Sequence, residues 1–220
     1  MKMLKIKGIE KNFVIDSGKI YNINIENSQY FNRLINGLID LDEDIFIFSE
    51  NYELCNFSKN SLIIMDIFSL NPNSKKILTT LYNRIEKNYL SNEDKEHIYK
   101  INSDILNILE KISLELNVEV EYECDFDFIK ILNSYQFRFK ENGQTLLERL
   151  ITFIKANLEI KSFDFIITIN LLSMINEKDL EIMQKELELL QITLININSI
   201  SKINKNIVDY TTIDDDLCEF

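Results

Sequence analysis

The chain has little of what usually punctuates a protein: its 220 residues hold four glycines, one proline and one histidine. A phosphate-cradling loop needs G-x-x-x-x-G-K-[ST] between a strand and a helix. The nearest approach is "DSGKIY", where Ile20 follows Gly18-Lys19 and Phe13 stands where the first glycine belongs, so nucleotide hydrolysis by that route is excluded. Gly8, Gly18, Gly37 and Gly143 are isolated from one another, which removes a dinucleotide fingerprint as well. His97, in "EDKEHIYK", would have to serve any triad or histidine metal centre alone, and a solvated imidazole on a charged helix face is the simpler reading. Cys55, Cys124 and Cys218 are far apart with no C-x-x-C pair, which suggests neither a disulfide framework nor structural zinc. No run is long and apolar enough to cross a bilayer, and the opening "MKMLKIKGIEKNF" scatters charge where a signal peptide would be apolar. The expectation is a cytoplasmic protein with free thiols and no membrane partner.

What the chain does have is core and negative charge. Hydrophobic residues make up 45% of it, including 14 Phe and 9 Tyr, enough to fold one large domain or two small ones. Against 24 Lys and Arg stand 36 Asp and Glu, for a net charge of −12. That balance argues against nucleic acid, whose phosphates favour basic proteins, unless a local basic stripe or a bound cation reverses it.

Periodicity carries the organisation. "MLKIKGI", "NFVID" and "KIYNINI" read as strands, and "NSQYFNRLINGLID" as a helix capped by Asn27 or Ser28. "DIFIFS" and "NSLIIMDIF" read as buried strands. From Pro72 to about Leu116 the period is helical, with a capping box at Ser91 and Asp94. "FDFIKILNSYQFRF" and "NGQTLLERLITFIKANLEI" predict two further helices hinged at Asn142-Gly143. Strand, helix and strand follow in "FDFIITINLL", "NEKDLEIMQKELELL" and "QITLINI", whose strands should be parallel neighbours. The fold class is therefore α/β: a head domain with a mainly parallel sheet over 1–70 and 160–220, with an inserted α-helical domain over 71–159.

The most regular local pattern is "VEVEYECDFDF", Val118 to Phe128. In steps of two, Glu119, Glu121, Glu123, Asp125 and Asp127 would line one face of an extended chain, and Val118, Val120, Tyr122, Cys124, Phe126 and Phe128 the other. Carboxylates about 7 Å apart repel by roughly 0.6 kcal/mol in water and about 2 kcal/mol at an effective dielectric of 20. A divalent cation would relieve that repulsion, and an all-oxygen set suits calcium better than zinc or magnesium. The spacing is not that of an EF-hand. The alternative is an amphipathic edge strand whose acids face water, opposite lysines of a neighbour.

A rival chemistry lies in "LEIK", where Glu159, Lys161 and nearby Asp164 have the acid-x-lysine form of metal-dependent nucleases. Such triplets arise readily by chance in a chain this rich in Glu and Lys.

Four blocks together resemble a known family: "LIIMDIFSLNPNSKKILTTLYNRIEK" (Leu62 to Lys87), "LELNVEVEYE" (Leu114 to Glu123), "FIKANLEIKSFDFIITIN" (Phe153 to Asn170) and "VDYTTIDDDL" (Val208 to Leu217). The family is the CRISPR-associated spacer-acquisition accessory protein of type II-A systems. The resemblance implies a head resembling a degenerate nucleotide-binding ATPase with a helical leg. It further implies a homotetrameric ring holding Ca2+ that binds double-stranded DNA, preferring ends, without cleaving it. The implied partners are the adaptation integrase and the type II effector nuclease. Calcium ligands of that family match Glu119, Glu121, Glu123 and, with a one-residue gap, Asp127; Asp125 is a further candidate, because Cys124 falls where relatives carry an acid. The implied DNA contacts are Lys161 and Lys155, with Lys130, Arg138 and Lys140 flanking the acids. Two other functions stay open: the divalent-metal nuclease, and an acidic protein-interaction module without DNA binding.

Overall fold

The computed structural model describes residues 1–125, 127–140, 145–199 and 208–220. It divides into two compact units, Met1–Asn71 with Glu141–Phe220, and Pro72–Lys140.

In the first unit the strands are β1 (Lys2–Ile6), β2 (Asn12–Ile15), β3 (Ile20–Ile25), β4 (Phe46–Glu50), β5 (Glu53–Cys55), β6 (Ser61–Ile64), β7 (Phe165–Ile169), β8 (Thr193–Asn198) and β9 (Asp209–Ile213). Its helices are α1 (Ser28–Asp40), α2 (Phe57–Asn60), α6 (Leu146–Ile160) and α7 (Glu177–Leu190). The second unit holds α3 (Lys75–Asn88), α4 (Asn92–Glu115) and α5 (Phe128–Ser134).

Two sheets organise the first unit. A parallel sheet has the order β6-β7-β8-β3-β9, and an antiparallel sheet the order β2-β1-β4-β5. As the crossover helix requires, β7 and β8 are parallel neighbours, with Ile167 opposite Ile195. In the antiparallel sheet the β4–β5 turn uses Asn51 and Tyr52 at φ 50° and 69°, the left-handed pair that matches the twist of a tight hairpin.

Alternation along the parallel strands sends side chains into two cores. On one face Tyr21, Ile23, Phe165, Ile167, Ile195 and Ile197 meet Leu4, Phe46 and Phe48 of the antiparallel sheet and Leu34 of α1. On the other, Ile20, Ile166 and Leu194 meet Leu147, Leu150 and Ile154 of α6 and Leu180, Met183 and Leu187 of α7. Helix α6, expected in the inserted domain, therefore belongs to the first unit. Periodicity marks its apolar stripe but does not say which core receives it.

The second face turns polar further along its strands. Fully buried Asn196 accepts from Thr168 Oγ1 (3.1 Å) and from the Leu171 amide (2.8 Å), and its Nδ2 donates to Asn22 Oδ1 (2.7 Å). Asn22 in turn donates to Asn24 Oδ1 at 3.2 Å. Replacing Asn196 by Ala orphans buried groups on three partners, and an expected loss of about 3 kcal/mol should be read from the urea midpoint.

In the second unit Ile77, Leu81 and Tyr82 of α3 and Leu132 of α5 are buried. Ser91 and Asp94 form the expected capping box at the start of α4. At the unit's two ends the Asn73 side-chain amide donates to the Phe139 carbonyl (3.0 Å) and accepts from the Phe139 amide (2.9 Å). The helix expected across "FDFIKILNSYQFRF" stops at Ser134. Gln136 enters the left-handed region at φ 50°, and the Phe137 amide bonds back to the Leu132 carbonyl at 2.9 Å. The expected hinge at Asn142-Gly143 and the apolar Phe126 lie outside the described residues.

Candidate functional site

The acidic segment joins α4 to α5 and forms no described strand, so the paired edge strand expected from its period-two spacing is not what the chain adopts. Glu119, Glu121, Glu123 and Asp125 are exposed, but so are Val118, Val120 and Tyr122, at 38% to 67%. Extended residues satisfy a period of two without a neighbouring strand, and only a neighbour would bury one face. Asp127 is committed locally: it is the N-cap of α5, and its side chain accepts from the Lys130 amide at 3.1 Å.

Lys130 is the segment's own counter-ion. Its ammonium pairs with the Glu123 carboxylate. That hydrogen bond first, the Glu123 charge next, and then Asp127 and Asp125 raise the lysine above its usual pKa. A candidate DNA contact in sequence is thus engaged with the candidate metal ligands in structure. The donor set, five carboxylates with no imidazole, has the chemistry that calcium takes. Among the described residues of one chain, however, no three acidic, histidine or cysteine side chains converge to hold an ion. The residues fit calcium in kind, but within one chain the described side chains do not gather into a site.

The other basic candidates have separate surroundings. Arg138 and Lys140 are exposed after α5 in the second unit. In the first, Lys155 on α6 pairs with Glu186 of α7 at 2.7 Å. Lys161 caps the end of α6 and its Nζ donates to the carbonyls of Ser58 (2.6 Å) and Ser61 (3.1 Å), tying α6 to the start of β6. Asp164 is also occupied, by Lys2 at 2.6 Å, which raises the pKa of Lys2 mainly through that hydrogen bond. The sequence triplet of Glu159, Lys161 and Asp164 is therefore not assembled as a nuclease site, because its lysine and one acid serve structural bonds.

A nucleotide site in a parallel α/β sheet lies where a strand ends and its helix begins. Gly18 and Lys19 precede β3, at the opposite end of that strand. After β3 the connection to α1 is Glu26-Asn27, without glycine, and the helix N-terminus is already filled: Asn27 Oδ1 accepts from the Tyr30 amide at 2.9 Å. Its Nδ2 donates to the Asp215 carbonyl at 2.8 Å. "INIENSQY" carried that signal in sequence, as an acid and a cap standing where a phosphate loop would be.

The two sheets, their cores and this filled turn define the class: an α/β protein with the architecture of an ATP-binding cassette but not its phosphate loop. Two solved structures support the fold. The crystal structure of Stu0660 of Streptococcus thermophilus superposes with a TM-score of 0.54 at 16% identity, over 97% of this chain and 75% of that one. The ADP conformation of MJ1267, an ATP-binding cassette of an ABC transporter, gives 0.50 at 15%, over 98% and 88%. Residues 39–217 match the family of the CRISPR-associated protein Cas_Csn2, and the chain belongs to that family. No curated protein matches it. Among the described residues no helix is long and apolar enough to cross a membrane.

Proposed function

We propose that the protein is a non-catalytic, sequence-independent double-stranded-DNA-binding component of CRISPR spacer acquisition, assembled as a calcium-stabilised homotetrameric ring. The observation that carries this reading is family membership across residues 39–217. The cassette-like body supports it, since its strand-to-helix turn presents Glu26 and a capped helix instead of a phosphate cradle. The engaged Lys161 and Asp164 weigh against a nuclease.

Calcium held by Glu119, Glu121, Glu123, Asp125 and Asp127 would neutralise charge that otherwise repels DNA. The acids themselves are architectural: they sit between α4 and α5 and keep Lys130 paired while no metal competes for Glu123. All five candidate cations are exposed; Arg138 and Lys140 would meet phosphate most directly, with Lys130, Lys155 and Lys161, already engaged by Glu123, Glu186 and the Ser58 and Ser61 carbonyls, in supporting roles. Contacts of this kind read charge and groove shape, not bases. The adaptation integrase and the type II effector nuclease are the partners such a ring would serve in the cytoplasm.

The test compares linear and circular duplex in gel shifts with calcium and with chelator. Linear duplex should bind in calcium, weakening by about tenfold or more between roughly 50 and 200 mM salt, and a closed circle should bind less well. Equal binding of both forms in chelator would overturn the reading, as would degradation of linear duplex under any divalent ion.

A further inference from the structure

The charge of the chain changes sign where the acidic segment ends. From Phe128 to Lys140 there is no acid, while the cations Lys130, Arg138 and Lys140 and the rings of Phe128, Tyr135, Phe137 and Phe139 share the stretch, in a protein whose net charge is −12. In its second half, "YQFRFK", aromatic and basic residues interleave.

The backbone that carries these residues is fixed. After α5 the Gln136 amide donates to the Asn133 carbonyl at 3.0 Å, and the Phe137 amide to the Leu132 carbonyl at 2.9 Å. The Tyr82 hydroxyl of α3 donates to the Phe137 carbonyl at 2.6 Å, and Asn73 bonds both backbone groups of Phe139. Two of the rings are nevertheless left in water: Tyr135 is 83% exposed and Phe137 51%. A large ring on an ordered backbone loses little further freedom when it is covered, so a ligand that covers it keeps most of the gain from burial.

The neighbouring charges select the ligand. Two other well-exposed rings stand beside acids, Tyr52 before Glu53 and Phe220 after Glu219. Tyr135 and Phe137 stand beside Arg138 and Lys140, which are exposed and take part in no ion pair among the described residues. Rings for flat apolar faces together with unpaired cations for phosphate are the combination that holds a single nucleic-acid strand, whose bases stack on the rings while its backbone follows the charge. Inside a duplex the base faces are already stacked on one another, whereas unpaired bases at an end present theirs. Two residues of chain span at most about 7 Å, which places Tyr135 and Phe137 close enough for neighbouring bases of one strand.

We propose that Tyr135 and Phe137 form a stacking site for unpaired bases at a DNA end, with Arg138 and Lys140 on the phosphates that lead to them. The ligand is the single-stranded overhang of a linear duplex. This rests on the DNA-binding part of the function proposed above, and adds to it a preference for overhanging over blunt ends that is independent of base sequence.

The experiment reads fluorescence anisotropy of the full chain in calcium with labelled duplexes of equal paired length: one blunt, one with a short single-stranded overhang, and one with the same overhang made abasic. The overhanging duplex should bind about tenfold more tightly than the blunt one. The abasic overhang keeps the added phosphates and should lose most of that gain. Tyr135→Ala with Phe137→Ala should remove the gain and leave blunt-duplex affinity unchanged, and Tyr135→Phe, which keeps the ring, should retain it. Both rings are largely in water, so the substitutions spare the core, and far-UV circular dichroism confirms that each variant is folded. Equal affinity for blunt and overhanging ends, an abasic overhang bound as tightly as a complete one, a gain that survives the double variant, or a double variant that weakens all the duplexes alike overturns the stacking site and leaves the duplex reading standing. A native chain that binds none of these duplexes overturns both.

Discussion

A Glu119/Glu121/Glu123→Ala variant is expected to lose duplex affinity by about a hundredfold, the scale of avidity forfeited when a multivalent assembly comes apart. The sign is what makes the result informative. Removing three carboxylates moves the net charge from −12 to −9, so charge alone would strengthen binding to phosphate. A loss therefore reports architecture, with the acids acting through the cation and the assembly they hold. Chelator should reproduce the variant's behaviour in the native chain and do nothing further to the variant. Gel shifts at fixed salt, paired with sedimentation at the same protein concentration, check both statements. Unchanged assembly and stronger DNA binding in the variant would return the segment to a solvated acidic surface.

Phe165→Ala should be the most destabilising single truncation in the first unit, at about 3–5 kcal/mol. The ring is fully buried at the start of β7, the strand that joins β6 to β8. Its centroid lies 5.1 Å from that of Phe48 on the antiparallel sheet and 6.0 Å from that of Phe57, which stacks on Phe46 at 5.1 Å. One side chain thus joins both sheets and α2, and its loss leaves a cavity among rings that cannot all relax into it. Urea denaturation should show the midpoint falling, and Phe165→Leu, which keeps most of the volume, should fall clearly less. A Phe165→Ala midpoint within error of the native one would mean that the two sheets do not share this core.

How much of this was legible in sequence depended on whether a pattern reports a local or a distant partner. Helix α7 and its Asn176 cap, the capping box of α4 and the parallel β7 and β8 all announce themselves within a few residues of chain, through caps and apolar period. Strands β5 and β9 did not, because β5 is three residues, two of them exposed, and β9 buries only Thr211 and Ile213, so both acquire strand character from β4 and β3 beside them. The segment from Val118 misled in the opposite direction: its alternation is perfect, yet a strand is a relation between two chains, and no described neighbour completes it. Helix α6 had the right period and was given to the wrong body, since Leu147, Leu150 and Ile154 state that something covers them but not what. Among candidate site residues, Lys161 and Lys130 looked equally available in sequence; the carbonyls of Ser58 and Ser61 that occupy Lys161 come from a hundred residues away, whereas the Glu123 carboxylate that occupies Lys130 lies only seven residues before it.

The doubly bonded amide of Asn73 has a consequence for how such a chain is put together. By clasping the backbone at Phe139, it holds the entrance and exit of the second unit side by side. To the first unit, everything between Pro72 and Lys140 is then topologically equivalent to a short surface turn, however long the excursion grows, because the entropy of closing it is met within the excursion. An insertion fastened at its own neck can change its length and its charge without asking the host sheet to move.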